Sequence, residues 1–365
     1  MLEVADIFRR HGAAYRAQEH LLPSQLRAMQ DIVGCRTAYF GGHLKQCDHC
    51  DRQVYAYHSC RNRHCPKCHG DQTERWLAKQ QARLLPCPYF LVTFTLPAEL
   101  RPLAYGQQKK VYGLLMRCAA AALQKLALDP RYVGGRLGCL AVLHTWTRAM
   151  RYHPHVHLLV TGGGLSVDGQ KWLAGNPAFL MPEAALAIIF RAKLCTALKK
   201  AGLLEQVPRH VWKKDWVVHC KAAGQGHQVL HYLARYLFRV AISNSRLERF
   251  EQGEVTFRYR DNRTQQLRHV TVSGEEFMRR FLLHVLPRGC AKVRYYGLCS
   301  PTCRPQLEQA RMLLGHATPD PVPDTAPDSP PIAPPTPAAP ARCPHCRLGQ
   351  LLEIRVLPPQ RKVPP

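Results

Sequence analysis

The alternation of apolar and polar positions divides the chain into helical and extended segments. Apolar residues recur at helical spacing from residue 1 to about 34, where Pro23 divides two short predicted helices. The same spacing predicts helices at 107–128, 183–201, 227–239 and 275–285. Runs rich in β-branched and aromatic residues predict strands at 88–96, 139–148, 155–162, 216–220, 254–260 and 267–272. This order favours an α+β fold, in which helices cover one face of an antiparallel sheet.

Shifts in composition set the predicted domain boundaries. Cys, His and Gly replace aliphatic residues from Cys35 to about residue 69, so this segment needs a metal to hold it together. Ten prolines between Pro319 and Pro340 predict an extended, disordered linker. We therefore predict a helical segment (1–34), a zinc-binding domain (35–86), an α+β domain (87–316), a Pro-rich linker (317–342) and a short basic CxxC tail (343–365).

The charge of the chain points to a polyanionic partner. Lys and Arg number 51 against 25 Asp and Glu, a net charge of +26, and contacts between basic residues and phosphates release condensed counterions. Membrane surfaces are also polyanionic, but no signal peptide and no apolar stretch of spanning length is visible. We expect a protein of the reducing bacterial cytoplasm, associated with the nucleoid, in which clustered cysteines bind metal and do not form disulfides.

Paired cysteines predict a structural Zn²⁺ site. Cys47 and Cys50 form one CxxC pair, Cys65 and Cys68 form another, and 14 residues separate the two pairs. The remaining candidates either form a second zinc site or are ordinary surface and core residues: Cys35, His43, Cys60 and His64. Basic residues between these ligands are expected to contact DNA phosphates: Arg61, Arg63 and Lys67. The tail pair, Cys343 and Cys346, is either completed by Cys299 and Cys303 or left as a free or weakly metal-binding segment.

Two further patterns point to chemistry on phosphates. His155 and His157 lie two apart on a predicted strand and therefore share a face, where they can hold a divalent cation. Tyr232 and Tyr236 lie four apart on a predicted helix and share a face as well. Aromatic residues at this spacing usually pack in a core. Nearby arginines, however, favour contact with phosphates and a phenolate: Arg235, Arg239 and Arg246.

These motifs stand in longer blocks that resemble the rolling-circle transposases of the insertion-sequence-ninety-one (IS91) family. The matching blocks run in family order from about Cys35 to Gly297 and include CRTAYFGGH, SCRNRHCPKC, YFLVTFTLPAEL, LHTW, HPHVHLLVTGGGL, DWVVHCK, YLARYLFRVAISNSRL and EFMRRFLLHVLPRG. The resemblance implies an HUH-type (histidine–hydrophobic–histidine) catalytic domain at 87–316. It implies that His155 and His157 bind Mg²⁺ or Mn²⁺ and that Tyr232 and Tyr236 form a two-tyrosine motif. It also favours a second zinc site over the alternative role of the four remaining candidates.

The expected activity is metal-dependent cleavage and joining of single-stranded DNA through a 5′-phosphotyrosine. Its substrates would be hairpin-bearing element ends and an unpaired target site. HUH enzymes usually add a third polar ligand, for which His144 is the candidate; packing against Trp146 is the alternative role. Three other readings remain: an HUH replication initiator or relaxase, a non-catalytic zinc-dependent nucleic-acid-binding protein, and a three-carboxylate transposase that would need residues such as Asp215.

Overall fold

The computed structural model describes residues 2–68, 70–237, 241–261, 263–315 and 341–361, with the side chains of 70–72 and 235–237 left out of the description. The chain forms two compact units. The first comprises Met1–Gly70, Ile242–Val285 and Pro323–Pro365, and the second comprises Asp71–Ala241 and Leu286–Val322. The sequence placed 87–316 in a single domain. In the structure, Ile242–Val285 packs with the N-terminal residues instead.

The described residues form helices and strands in mixed order. The helices are α1 (Val4–Gln18), α2 (Pro23–Gly34), α3 (Gly70–Gln81), α4 (Arg101–Gly106), α5 (Gln108–Ala127), α6 (Glu183–Lys200), α7 (His227–Leu237), α8 (Gly274–Leu282) and α9 (Arg304–Leu313). The strands are β1 (Gly42–Cys47), β2 (Gln53–Tyr57), β3 (Tyr89–Thr95), β4 (Gly138–Trp146), β5 (Tyr152–Thr161), β6 (Gly163–Leu165), β7 (Trp172–Ala174), β8 (Val218–Ala222), β9 (Leu247–Glu251), β10 (Glu254–Arg260), β11 (Leu267–Ser273), β12 (Val293–Gly297) and β13 (Leu351–Leu357).

The first unit begins with the two short helices that the sequence predicts. Pro23 opens α2, where its missing N–H costs nothing because the first turn of a helix has no internal acceptor for it. Helix α1 packs on α8, and the rings of Phe8 and Phe281 meet edge to face with centroids 5.3 Å apart. Residues far apart in sequence therefore share one apolar core.

Two small antiparallel sheets complete the first unit. One has the strand order β11-β10-β9 and contains the strands predicted at 254–260 and 267–272. Helix α8 packs on it through Phe257 and Phe277. The other has the order β13-β1-β2, so a strand from the C-terminal tail pairs with the N-terminal hairpin. The sequence analysis did not predict this third strand.

The second unit is built on a five-stranded antiparallel sheet with the order β12-β4-β5-β3-β8. The predicted hairpin of β4 and β5 forms its centre, and in its register His144 lies opposite His155. Strand β3 flanks β5 on the other side, with Thr93 opposite His157. The predicted strand at 216–220 begins two residues later, at Val218.

Helices cover both faces of this sheet, whereas the sequence analysis expected them on one. Helices α5 and α6 pack on the face that carries Phe94, Leu143 and Leu158. The opposite face packs against α7 and α9 through a second apolar cluster: Leu140, Val142, Leu159, Leu230, Leu233, Leu307 and Ala310. Every residue of β4 is buried. Its continuous apolar run CLAVL is typical of a strand covered on both sides.

Among the residues that the structure describes, no helix combines the length and the apolar character needed to cross a bilayer.

Candidate active site

Three histidines converge on the sheet face that α7 covers. His155 and His157 project from alternate positions of β5, and His144 projects from the neighbouring strand β4. One nitrogen from each ring lies within 4.8 Å of the others. The ring centroids are 4.5 Å apart for His144 and His157 and 4.8 Å apart for His155 and His157. The pleat of two paired strands thus brings His144 into a three-imidazole cluster with His155 and His157, which lie 11 and 13 positions later in the sequence.

Hydrogen bonds set which ring nitrogens face the cluster. His155 Nδ1 lies 2.7 Å from the carbonyl oxygen of His153. A carbonyl only accepts, so Nδ1–H donates this bond and Nε2 keeps its lone pair. His157 Nδ1 shares a 2.8 Å hydrogen bond with Thr93 Oγ1. When Nδ1–H is the donor there, Nε2 of His157 is likewise left as an acceptor. Such second partners hold metal-binding imidazoles in one orientation.

Burial keeps all three imidazoles neutral. It lowers the pKa of His155 to about 4. Burial, with the neighbouring charge of His155, lowers the pKa of His157 to about 3. For His144, which is 2% exposed, burial lowers the pKa well below its usual value. Neutral imidazole is the form that binds a metal, so the cluster suits a cation at neutral pH.

The neighbours of the cluster have separate partners. His153 lies outside it, because the guanidinium of Arg101 donates to His153 Nδ1 at 2.9 Å. Pro154 does not interrupt the strand, which runs through it. The ring of His144 stacks on Trp146, with centroids 5.4 Å apart and planes 18° apart. Packing against Trp146 and membership of the cluster are therefore compatible.

Helix α7 brings Tyr232 to the histidines. The ring of Tyr232 lies 6.1 Å from the ring of His157, nearly at right angles to it. Tyr236 follows one turn later in the same helix. The side chains of Tyr236 and Arg235 lie outside the described residues, as does Arg239 entirely. Arg246 belongs to the first unit, where its guanidinium lies over the ring of Phe257.

The first unit holds two clusters of four cysteines. One comprises Cys35, Cys60, Cys65 and Cys68, with Cys68 Sγ 3.4 Å from Cys35 Sγ and 3.5 Å from Cys60 Sγ. The other comprises Cys47, Cys50, Cys343 and Cys346. The sequence grouped Cys47 and Cys50 with Cys65 and Cys68, and the structure separates these pairs.

The length of the β1-β2 hairpin explains the separation. Cys47 and Cys50 lie at its turn, whereas Cys60 follows the far end of β2 and Cys35 precedes β1. Five or six extended residues span roughly 17–20 Å, so the two ends of the hairpin cannot share one ion. Arg36 N donates to His58 O at 3.1 Å, which closes the open end of the hairpin around the first cluster.

The predicted histidine ligands lie in neither cysteine cluster. His43 Nδ1 lies 2.9 Å from Glu353 Oε2, and its Nε2 lies 2.9 Å from His58 Nε2. His64 directly precedes Cys65 in sequence and its side chain is buried, but it contributes no ligand atom to the first cluster. With four thiols in each cluster, eight of the sixteen cysteines are used and no imidazole is required.

The predicted phosphate-contacting residues of this region differ in exposure. Arg61 is exposed and Arg63 is half-buried. Lys67 forms an ion pair with Glu3, so its ammonium already has a carboxylate partner.

Sequence reasoning missed two features. Cys343 and Cys346 belong with Cys47 and Cys50, and the presence of a third CxxC pair in the chain was the available signal. Thr93 contacts His157 only because β3 pairs with β5, which no local pattern indicates. Among the described residues, none of the potential metal-binding clusters contains Asp or Glu, so a three-carboxylate site finds no support.

Comparison with known proteins places the chain among transposases. Residues 138–306 match a family described as a putative transposase, and residues 7–96 match a transposase zinc-binding domain. The first unit therefore carries structural zinc, and the cluster of Cys35, Cys60, Cys65 and Cys68 lies wholly within the matched residues. No solved structure matches the chain.

Two relatives match over most of their length. The chain is 43% identical to a putative transposase, y4qJ, of Sinorhizobium fredii, over 97% of this chain and 95% of the relative. It is 30% identical to the transposase for insertion sequence element IS801 of Pseudomonas savastanoi pv. phaseolicola, over 81% of this chain and 76% of the relative. The chain therefore belongs to the IS91 family of insertion-element transposases.

Proposed function

We propose that this transposase cuts and rejoins single-stranded DNA through a tyrosine, using a divalent cation held by His144, His155 and His157. One observation carries the proposal: a cluster of three neutral imidazoles, two of them buried and the third half-buried, faces a helix that presents Tyr232 at 6.1 Å from the ring of His157. A nucleophile beside a metal-binding cluster suits phosphoryl transfer through a covalent protein–DNA intermediate.

The donor set fits a divalent cation. Three imidazole nitrogens on one side leave coordination positions open, and nitrogen ligands suit Mn²⁺ better than Mg²⁺, which prefers oxygen. When bound, the cation would polarise the scissile phosphate and offset the negative charge that develops on it. Thr93 and the carbonyl of His153 orient the rings of His157 and His155, so the protein holds the ligands in place before the ion arrives.

Tyr232 supplies the nucleophile. Its phenolic oxygen attacks the phosphorus and the bond to the 3′ oxygen breaks. The phenolic proton is transferred to the departing 3′ oxygen. The products are a 5′-phosphotyrosine and a free 3′-hydroxyl. One phosphoester replaces another, so no ATP is required. A 3′-hydroxyl then attacks the phosphotyrosine, releases the tyrosine and joins the strands. Tyr236, one helical turn later, supplies a second nucleophile for the second cleavage, which lets one active site exchange two strands.

The substrate is DNA in single-stranded form, with hairpin-bearing element ends and an unpaired target site. The net charge of +26 favours a polyanion. Contacts to the phosphates are assigned to Arg61, Arg63, Arg235, Arg239 and Arg246, and the zinc-bearing unit contributes to recognition of the ends. Such an enzyme works on the bacterial nucleoid. The name of the IS801 relative, an insertion-element transposase, supports this assignment over a replication initiator or relaxase.

Labelled single-stranded oligonucleotides that carry the element's own ends test the proposal. The protein is incubated with them in Mn²⁺, in EDTA, and in EDTA followed by excess Mn²⁺, and the products are run on denaturing gels. We expect a covalent protein–DNA adduct in Mn²⁺, none in EDTA, and recovery on adding Mn²⁺ back. Tight DNA binding with no adduct under any condition would favour the alternative of a non-catalytic, zinc-dependent nucleic-acid-binding protein.

A further inference from the structure

The C-terminal tail meets the N-terminal hairpin at four sulfur atoms. Cys47 Sγ lies 3.6 Å from Cys346 Sγ, across 299 positions of sequence. Cys50 Sγ lies 3.8 Å from Cys343 Sγ, across 293 positions. Each short distance joins one CxxC pair to the other, and all four sulfur atoms lie within 4.8 Å of one another.

These separations fit thiolates around one ion. Zinc–sulfur bonds of ~2.3 Å in a tetrahedron place neighbouring sulfurs ~3.8 Å apart. A disulfide needs its sulfurs at about 2.05 Å. The sulfur positions therefore match a ZnS4 site and not two cross-linking disulfides.

Backbone amides support the sulfurs on both sides. His49 N donates to Cys47 Sγ at 3.4 Å, and Gly349 N donates to Cys346 Sγ at 3.4 Å. Such bonds stabilise the negative charge of a thiolate ligand. The same kind of bond, from Asn62 N to Cys60 Sγ, occurs in the first cluster, which lies inside the matched zinc-binding domain.

Gly349 permits the close approach of the two cysteine pairs. A Cβ atom at this position would lie 2.6 Å from Cys47 Sγ and 2.5 Å from Asp48 Oδ1, closer than real Cβ contacts. Asp48 in turn holds the tail, since its Oδ1 accepts from Gln350 N at 2.7 Å and its N–H donates to Gln350 O at 3.1 Å.

Apolar burial around the tail is small. The core at this point consists of Leu351 and two of the cysteines themselves, with Val54 packed against it. Of the apolar side chains on β13, Leu352, Ile354 and Val356 are about half exposed or more. An element with so little buried apolar surface needs another source of stability, which a metal ion supplies in small domains.

We propose that Cys47, Cys50, Cys343 and Cys346 form a second structural zinc site, which holds the C-terminal strand β13 on the N-terminal hairpin. Cys343 and Cys346 lie outside both of the family-matched regions, so this site is a property of the whole chain. If this site binds zinc, residues 341–361 stay docked on the N-terminal hairpin only while zinc is bound and the four thiols are reduced. The inference concerns the first unit alone and does not rest on the tyrosine chemistry proposed above.

The zinc content of the purified chain tests the number of sites. We expect two zinc ions per chain in the wild type and one in the Cys343→Ser/Cys346→Ser variant. The matched control is Cys195→Ser/Cys303→Ser, which removes two thiols outside both clusters and should retain two ions. One ion in the wild type, or two in Cys343→Ser/Cys346→Ser, would overturn the proposal.

A variant that keeps every thiol separates metal binding from misfolding. Gly349→Ala should retain the first zinc ion and release the second faster to a chelator, because the added methyl group presses on Cys47 Sγ. Gly106→Ala is the control, since a Cβ there meets open space and Gly106, like Gly349, does not need a positive φ. Equal release rates from Gly349→Ala and Gly106→Ala would contradict the assignment.

Cutting the chain between the two halves of the site tests what zinc holds together. A protease site inserted between residues 316 and 340 allows the full-length protein to be cleaved after purification. We expect the C-terminal piece to co-elute with the remainder on gel filtration and to separate after zinc is removed with EDTA. A piece that leaves with zinc still present, or stays after zinc is lost, would show that zinc does not dock the tail.

Discussion

The ring of Tyr232 lies 6.1 Å from the ring of His157, with the two planes 86° apart. The two residues are 75 positions apart in sequence, and they meet because α7 packs on the face of the central sheet from which His157 projects. It links the two motifs that carry the proposed chemistry, because a nucleophile and a cation must reach the same phosphate.

Replacing both histidines of the HxH motif should abolish cleavage. We expect His155→Ala/His157→Ala to lower the rate of adduct formation about 100-fold or more, since a single imidazole remains to hold the ion. The control is His210→Ala/His219→Ala, which alters two largely exposed histidines of the same unit. Denaturing gels measure the rate of adduct formation by each variant. Cleavage at the wild-type rate by the HxH variant would refute the assignment of these histidines as cation ligands.

Thr93→Val tests a residue that positions a ligand without touching substrate. Loss of the hydrogen bond to His157 Nδ1 should raise the Mn²⁺ concentration needed for half-maximal cleavage about 10–100-fold. The rate at saturating Mn²⁺ should approach that of the wild type. Thr196→Val, which removes a hydroxyl bonded to Ala192 O in α6, should change neither quantity. A lower maximal rate with an unchanged Mn²⁺ requirement would point to a general structural role for Thr93.

Cys65→Ser should remove the zinc ion of the first cluster. Cys65 is fully buried among Cys35, Cys60 and Cys68, and structural zinc supplies an apparent ~10–16 kcal/mol to small zinc domains. We expect one zinc ion less per chain and rapid proteolysis within residues 2–68. Cys195→Ser in α6 should leave zinc content and proteolysis unchanged. Full zinc occupancy in Cys65→Ser would show that Cys65 is not a ligand.

Gly297→Ala should destabilise the second unit. Gly297 ends the edge strand β12 at φ +59, and a Cβ there would lie 1.9 Å from the carbonyl oxygen of Leu137. Gly202 has a similar φ of +69 but open space around it. Both substitutions place an alanine at a positive φ, so both variants carry similar backbone strain. The steric clash alone should therefore make the free energy of unfolding of Gly297→Ala about 1–3 kcal/mol lower than that of Gly202→Ala. Urea unfolding followed by tryptophan fluorescence measures the difference, and equal stabilities would rule the clash out.

Local periodicity predicts the elements that carry the candidate active site. The alternation around His155 and His157 places both on one face of a strand, and the helical spacing of α7 holds in the structure as far as Leu237. Helices on both sheet faces were missed, although the uninterrupted apolar run of β4 was a sign of burial on both sides.

Features that depend on distant pairing could not be predicted in the same way. The cysteines were grouped by their order in sequence, and the length of the β1-β2 hairpin, which decides the grouping, enters only in three dimensions. Strand β13 has the alternating pattern of an edge strand in LEIRV, but its partner lies some 300 positions away. The contact of Thr93 with His157 follows from strand register alone.

The most direct test of the central claim is to identify the residue that becomes joined to DNA. Adduct formed in Mn²⁺ is digested with nuclease and trypsin, and the peptide that carries the nucleotide is sequenced by mass spectrometry. We predict that the modified residue is Tyr232, that Tyr232→Phe shifts residual modification to Tyr236, and that Tyr232→Phe/Tyr236→Phe gives no adduct. A nucleotide on any residue outside α7, or an adduct that persists in the double variant, would contradict the proposed mechanism.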